Sequence, residues 1–91
     1  MKRADLQSVV NVCRMLADST RLSIVVILAK SPKPVMALCE ALKMPQPTVS
    51  HHLALLRLSG LVDRERKGKS QIYSLKRGTL DSAKAFLAKM K

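Results

Sequence analysis

The chain has 91 residues, a length typical of one domain. Its 17 Lys and Arg residues outnumber its six Asp and Glu residues, and the formal charge of +11 indicates a polyanionic partner or, alternatively, only a solvated basic surface. With one Tyr, one Phe and no Trp, the composition disfavours an all-β sandwich and a base-stacking RNA module.

Three helices are predicted in the first half of the chain. Apolar residues recur at three- and four-residue spacing over about 4–17, which predicts an amphipathic first helix. Asp18 can cap a second helix over 19–30. That helix is apolar on nearly every side, so we expect it in the centre of the domain. Pro34 suits the first turn of a third helix, which should end near Lys43.

The second half of the chain predicts a short helix, a hairpin and a last helix. Two prolines bracket the start of the fourth helix, over 46–58, where first-turn amides have no helical partner. Residues 61–66 and 70–75 have the composition of strands around a Gly-containing loop, 67–69, which is a hairpin signal. Gly78 and Thr79 then open the fifth helix.

This order predicts a mostly α fold with a small β-hairpin, a single winged helix-turn-helix domain over residues 1–91. Only a few residues join the third and fourth helices, which is the spacing of a helix-turn-helix. The hairpin that follows them would be the wing.

The predicted fourth helix has two unlike faces. Val49, His52, Leu53 and Leu56 fall on one side at helical periodicity. We expect His52 to be packed there rather than to bind a ligand. Leu55 and Leu58 break the pattern, and we expect them to pack near the hairpin.

The other face of this helix is small or polar, as a helix in the major groove requires. The N-terminal residues of a recognition helix usually reach the bases. The candidate DNA contacts on this helix are therefore Gln46, Pro47, Thr48, Ser50, His51 and, at the margin of the face, Arg57. The hydroxyl of Thr48 could instead form a local hydrogen bond at the helix start.

The hairpin is strongly cationic. Alternation along the strands puts Arg64, Arg66 and Lys69 within reach of phosphates, with Lys67 at the tip. The same charges could instead keep an edge hairpin soluble. Tyr73 is expected to pack the hairpin onto the helices. A groove-sized helix beside a cationic hairpin favours double-stranded DNA as the partner.

The first and last helices each have an apolar face, and no other element of so small a domain would obviously cover these faces. We therefore predict that segments 4–17 and 79–91 form a homodimer across a two-fold axis, which would place two recognition helices about one DNA turn apart on a palindromic site. The predicted interface residues are Leu6, Val9, Cys13, Leu80, Ala83, Leu87 and Met90.

The two cysteines do not form a dense disulfide framework, which fits a reducing compartment, and we expect a cytoplasmic protein. The sequence contains no recognisable signal peptide or membrane span, so no membrane partner is expected.

Five motifs follow one another along the chain: Leu16-Ala-Asp-Ser-Thr-Arg-Leu22, Leu38-Cys-Glu-Ala-Leu42, Gln46-Pro-Thr-Val-Ser-His-His-Leu53, Leu56-Arg-Leu-Ser-Gly-Leu-Val62 and Gly68-Lys-Ser-Gln-Ile-Tyr73. Together they resemble the ArsR/SmtB family of winged-helix repressors over roughly residues 12 to 76. The resemblance implies a homodimer built on the first and last helices, operator binding through the fourth helix and the wing, and release by a metal, metalloid or redox signal. By position, it implies that Gln46, Thr48, Ser50 and His51 face DNA, with Arg66, Lys67 and Lys69 in the wing.

The known sensing sites of that family are not matched. Its metalloid sensors carry a Cys-x-Cys pair and a further Cys near the third helix. Cys39 corresponds to the further Cys, but Pro34 and Met36 stand at the positions of the pair. Zinc-type sites on the last helix need Asp, His and Glu, and this helix has only Asp81. We therefore expect no metal or other cofactor, and Cys13 and Cys39 remain a candidate thiol sensor.

The leading hypothesis is a sequence-specific transcriptional regulator, most simply a repressor that occupies a promoter. An architectural or nucleoid-type protein with little sequence choice is the alternative, since charge alone would permit it. Ser50 and His51 on the groove side favour base readout, and the apolar wedges common in architectural proteins are not evident. An enzyme is not predicted, because we find no Gly-rich phosphate loop, paired acidic motif or activated nucleophile.

Overall fold

The computed structural model describes residues 3–89, which form five α-helices and three short β-strands. The helices are α1 (Arg3–Leu16), α2 (Ser19–Lys30), α3 (Val35–Leu42), α4 (Gln46–Leu58) and α5 (Arg77–Ala88), and the strands are β1 (Lys33–Pro34), β2 (Val62–Lys67) and β3 (Ser70–Leu75). This order confirms the predicted winged helix-turn-helix.

Strand β1 is an element that the sequence did not predict. The sheet is antiparallel with the order β1-β3-β2, and Lys33 pairs with Tyr73 while Pro34 pairs with Ile72. Pro34 was expected in the first turn of α3, but its φ of −72° and ψ of 158° are extended. A residue without an N–H is tolerated in an edge strand. The wing is therefore tied to the chain just before α3.

The core lies where α4, the hairpin and α2 meet. Its completely buried side chains are Ile24, Leu38, Val49, Leu53, Leu56 and Leu61. Tyr73 on β3 is also buried, and β3 packs against α2. This confirms the expectation that Tyr73 packs the hairpin onto the helices.

Helix α2 is less central than its composition predicts. Ile24, Val25 and Leu28 are buried, but Leu22 and Val26 are exposed, the latter by 53%. The neighbours of α2 are α1, α3, α4 and β3, and they cover one side of the helix only. The expectation that α2 lies in the centre of the domain therefore holds for one face of the helix only, because a domain of this size has too few elements to cover both faces.

Candidate nucleic-acid interface

A left-handed residue sets the turn between α3 and α4. Lys43 ends α3 with a φ of 56°, and its N–H donates to the Glu40 carbonyl at 3.4 Å. The next amide, of Met44, donates to the Cys39 carbonyl at 3.1 Å, so the last turn of α3 is closed in the manner of a left-handed C-cap. Helix α4 begins only three positions after Lys43, at Gln46. This short connection forms the helix-turn-helix.

The start of α4 is held by the backbone rather than by a side chain. Pro45 precedes the helix without a side-chain capping bond, and its carbonyl accepts hydrogen bonds from the amides of Thr48 and Val49 at 3.1 and 3.2 Å. The Thr48 side chain is exposed and has no hydrogen bond to the described residues, so it is free to contact a ligand.

The two faces of α4 are as predicted at its start and middle. Val49, Leu53 and Leu56 are completely buried. The opposite side is open to solvent, and its exposed residues are Gln46, Pro47, Thr48, His51, Ala54 and Arg57. Ser50 is half-buried at the edge of this surface. An exposed, mostly small or polar helix face is what insertion into the major groove requires.

The C-terminal end of α4 differs from the prediction. Leu58 was expected to pack near the hairpin, but it is 87% exposed. The Ser59 hydroxyl donates to the Leu55 carbonyl at 2.9 Å, and Gly60 then turns the chain with a φ of 76°. This turn brings Leu61, which is completely buried, under the hairpin in place of Leu58.

The wing places the arginines of β2 and its acidic residues on opposite faces. In an antiparallel pair, directly opposite residues share a face and neighbours along a strand alternate. Val62 pairs with Leu75 and Arg64 pairs with Tyr73, so Arg64 lies on the face that the buried Val62 and Tyr73 turn toward the helices. Arg66 lies on this same face. The acidic residues of β2 alternate with them and occupy the opposite face.

The tip of the wing is shorter than predicted. Lys67 pairs with Ser70, so the turn consists of Gly68 and Lys69. Gly68 has a φ of 62°, the conformation that favours Gly at the first central position of a two-residue hairpin turn. The Arg66 Nε donates to the Gly68 carbonyl at 3.1 Å, which holds that guanidinium along the tip.

The predicted DNA contacts thus lie on two elements that touch, because β2 packs against α4. The wing residues Arg64, Arg66, Lys67 and Lys69 are all exposed. The hairpin is also fixed at its base, where the Lys76 N–H donates to the Leu61 carbonyl at 2.8 Å and the Thr79 hydroxyl donates to the Gly60 carbonyl at 2.7 Å. The residues predicted to contact DNA therefore lie on one continuous surface.

Helices α1 and α5 pack against each other within the chain. Val9 and Ala83 are buried in this contact, so the expectation that nothing in the domain covers the two apolar faces is wrong for these residues. Leu80 is half-buried. Met90 lies outside the described residues.

An apolar surface remains beside this contact. Leu6 and Cys13 on α1 and Leu87 on α5 are exposed. Val10 is also exposed, one turn after Leu6, and was not among the predicted interface residues. Its four-residue spacing from Leu6 was the signal that could have identified it.

The two cysteines lie on different elements, Cys13 exposed on α1 and Cys39 buried on α3, and both thiols are free. A thiol sensor at these positions stays a prediction. Within residues 3–89, no three His, Cys, Asp or Glu side chains come together as a metal-binding group. None of the helices in this range has the length and apolar character that a membrane crossing requires.

The model of the family described as bacterial regulatory protein, arsR family, matches residues 18–64, more than half of the chain. The chain belongs to the ArsR family. The matched segment runs from the cap of α2 into β2 and so includes the whole helix-turn-helix.

Several ArsR-family relatives are similar to this chain. The HTH-type transcriptional repressor SmtB of Mycobacterium tuberculosis is 44% identical over 62 residues, which are 68% of this chain and 46% of SmtB. The arsenical resistance operon repressor of Escherichia coli is 48% identical over 63 residues, which are 68% of this chain and 54% of the repressor. The chain therefore spans about half the length of these curated relatives.

A solved structure extends the similarity beyond the helix-turn-helix. The homodimeric winged helix-turn-helix DNA-binding domain of Mb0332 from Mycobacterium bovis superposes with a TM-score of 0.77 and 34% identity. The match covers 93% of this chain and 77% of that domain.

Proposed function

We propose that this ArsR-family chain is a transcriptional repressor that binds a palindromic DNA operator as a homodimer. The observation that carries the proposal is one continuous surface, formed by the exposed start of α4 and the arginine face of the wing. The named roles of SmtB and the arsenical resistance operon repressor support the repressor function. The homodimeric DNA-binding domain from Mycobacterium bovis supports the assembly.

The two parts of this surface have different tasks in the proposal. Gln46 can pair bidentately with adenine, and Ser50 can bond to several base edges, so α4 reads sequence from the groove. Arg64 and Arg66 hold the phosphate backbone, which fixes register and orientation without reading sequence.

The proposed dimer interface consists of the apolar side chains that α1 and α5 leave exposed, namely Leu6, Val10, Cys13 and Leu87. Each would lose contact with water when two copies pair across a two-fold axis. The target of a bacterial repressor is chromosomal DNA, and we therefore expect the protein to act in the cytoplasm, by binding rather than by catalysis.

Selection of bound sequences from a random duplex library tests the function. We expect a palindromic duplex to emerge, and we expect it to bind at least about 1000-fold more tightly than a random duplex of equal length at the same salt concentration. Fluorescence anisotropy with both duplexes measures the ratio. A ratio near unity would instead favour an architectural DNA-binding protein and contradict base readout by α4.

Substitutions on α4 test the readout itself. Replacing Gln46 or Ser50 by Ala should change the preferred base at one position of each half-site, at a cost of about 1–3 kcal/mol for a good base contact. Binding to random duplex should stay as in the wild-type protein, because no phosphate contact is lost. Ser23→Ala, which removes a hydroxyl from the exposed side of α2, is the matched control. Equal losses on all sequences would refute a reading role.

A further inference from the structure

One guanidinium connects the recognition helix to two other segments. Arg21 lies in the first turn of α2, with its side chain only 14% exposed. Its Nε donates to the Met15 carbonyl at the end of α1, at 2.8 Å, and its Nη1 contacts the His52 Nδ1 on α4, at 3.3 Å. The carboxylate of Asp18 lies 4.0 Å from the same Nη1.

The start of α2, which carries Arg21, is capped by Asp18. The Asp18 Oδ1 accepts a hydrogen bond from the Arg21 backbone amide at 3.0 Å, which caps α2. This backbone bond lowers the pKa of the Asp18 carboxyl below its usual value. A lowered carboxyl pKa contributes stability that is lost only as the pH falls through it, so Asp18 stays ionised at the mildly acidic pH considered below.

His52 must be the acceptor in its contact with Arg21. A guanidinium has only donors and does not lose its proton in proteins. The His52 Nδ1 therefore carries no hydrogen in this arrangement. A second proton on the ring would turn the acceptor into a donor and place two cations within hydrogen-bond distance of each other.

We propose that Arg21 is a positioning residue that orients α4 for DNA through the His52 Nδ1, and that protonation of His52 releases this hold. The proposal rests on the DNA-binding function proposed above. The inner face of α4 is otherwise held by Val49, Leu53 and Leu56, whose apolar contacts are not directional. The hydrogen bond from Arg21 to His52 fixes the orientation of α4, since hydrogen bonds weaken steeply when misaligned.

The other charged groups near α4 do not replace this contact. The elements packed against α4 are α2, α3 and β2. The charged groups on this side of His52 are Arg21 and the carboxylate of Asp18 at the cap of α2, which interacts electrostatically with both Arg21 and His52. The charged side chains on α3 and β2 are exposed and make no hydrogen bond or ion pair with His52 within residues 3–89; they are Glu40, Asp63, Arg64, Glu65, Arg66 and Lys67. The ring of His51 lies 5.7 Å away on the same helix.

The expected pH dependence has the opposite sign from simple electrostatics. An added positive charge alone strengthens binding to DNA. If protonated His52 releases α4, lowering the pH from about 8 to about 5.5 should instead weaken specific binding. We expect a loss of about tenfold on the selected palindromic duplex at constant salt, the effect of about one hydrogen bond to a charged group.

Three variants assign the effect to His52. His52→Gln keeps an acceptor oxygen that cannot be protonated in this range, so it should show no loss of affinity on acidification and should match the wild-type affinity at about pH 8. His52→Ala removes the acceptor and should bind weakly at every pH. His51→Gln, the matched control on the exposed face, should keep the loss on acidification. The proposal is overturned if His51→Gln binds as well at low pH as at high pH, or if His52→Gln titrates like the wild-type protein.

A measurement on the unmodified protein decides the matter if the variants fail to fold. In nitrogen-correlated NMR spectra, the amide signals of Val49, Leu53 and Leu56 should shift together with protonation of the His52 ring. Constant amide signals through that titration would overturn the proposal. This titration needs no DNA, so it tests the contact between Arg21 and His52 even if no duplex is selected and the proposed function fails.

Discussion

A variant carrying both Leu6→Glu and Leu87→Glu should be a folded monomer that binds the palindromic duplex at least about 100-fold more weakly than the wild-type protein. These side chains are 43% and 45% exposed in the single chain, so Glu remains solvated there and the fold should survive. In a dimer the same carboxylates would be buried without partners, which is strongly unfavourable. A monomer contacts one half-site and loses the avidity of the second.

Sedimentation velocity and circular dichroism test this expectation together with DNA binding. Val26→Glu is the matched control, because Val26 is comparably exposed but lies on α2, outside the proposed interface. It should leave both the dimer and the DNA affinity intact. A Leu6→Glu, Leu87→Glu protein that still sediments as a dimer would refute the interface on α1 and α5.

A second variant, with Arg64→Gln and Arg66→Gln, should weaken binding to every duplex, selected or random, by about 100-fold or more at about 0.1 M salt. Each protomer would lose two phosphate contacts. For a dimer, the slope of log affinity against log salt should therefore fall by about 3–4 units. The ratio between selected and random duplex should change little, because the proposal assigns base reading to α4 and not to the wing.

The control for net charge is Arg3→Gln with Arg14→Gln. Both residues are exposed on α1, which packs against α2 and α5 rather than the wing, and their replacement removes the same charge. The salt slope should stay near the wild-type value. If the two double variants lower the slope of log affinity against log salt equally, the positive charge of the whole protein attracts DNA and the wing makes no specific phosphate contacts.

Much of this architecture was predictable because its causes are local. Helical periodicity, the prolines at 45 and 47 and Gly60 predict the order of the five helices and the hairpin, which the structure confirms. The inner side of α4 was predictable for the same reason, since residues at helical spacing must share a face.

What the sequence could not predict depends on pairing between distant residues. Strand β1 exists only because Lys33 and Pro34 pair with β3, some forty residues later, and locally they resemble a simple helix break. Alternation along β2 predicts that Arg64 and Arg66 share a face, but it is the register of β2 on β3 that turns this face toward the helices. The contact between Arg21 and His52 spans 31 positions, and neither residue type nor spacing indicates it.

The burial of Leu61 in place of Leu58 could not be predicted for a different reason, which is local. Leu58 and Leu61 lie on opposite sides of Gly60 in the sequence, which does not say which of the two the chain turns inward. The positive φ of Gly60 and the bond from the Leu61 amide to the Leu56 carbonyl, at 3.0 Å, decide it. The wing consequently starts from a buried anchor, and α4 ends with an exposed leucine.

The sheet order has a mechanical consequence for the choice of DNA. Since β1 immediately precedes α3 and is hydrogen-bonded to β3, the wing cannot tilt without pulling on the first helix of the helix-turn-helix. In the proposed complex, the distance between the exposed side chains at the start of α4 and the arginines of the wing should therefore be nearly constant. A duplex must match that distance in its own groove width and backbone path, or bend to do so. Base pairs that no side chain touches would then still influence affinity, through the energy needed to deform them.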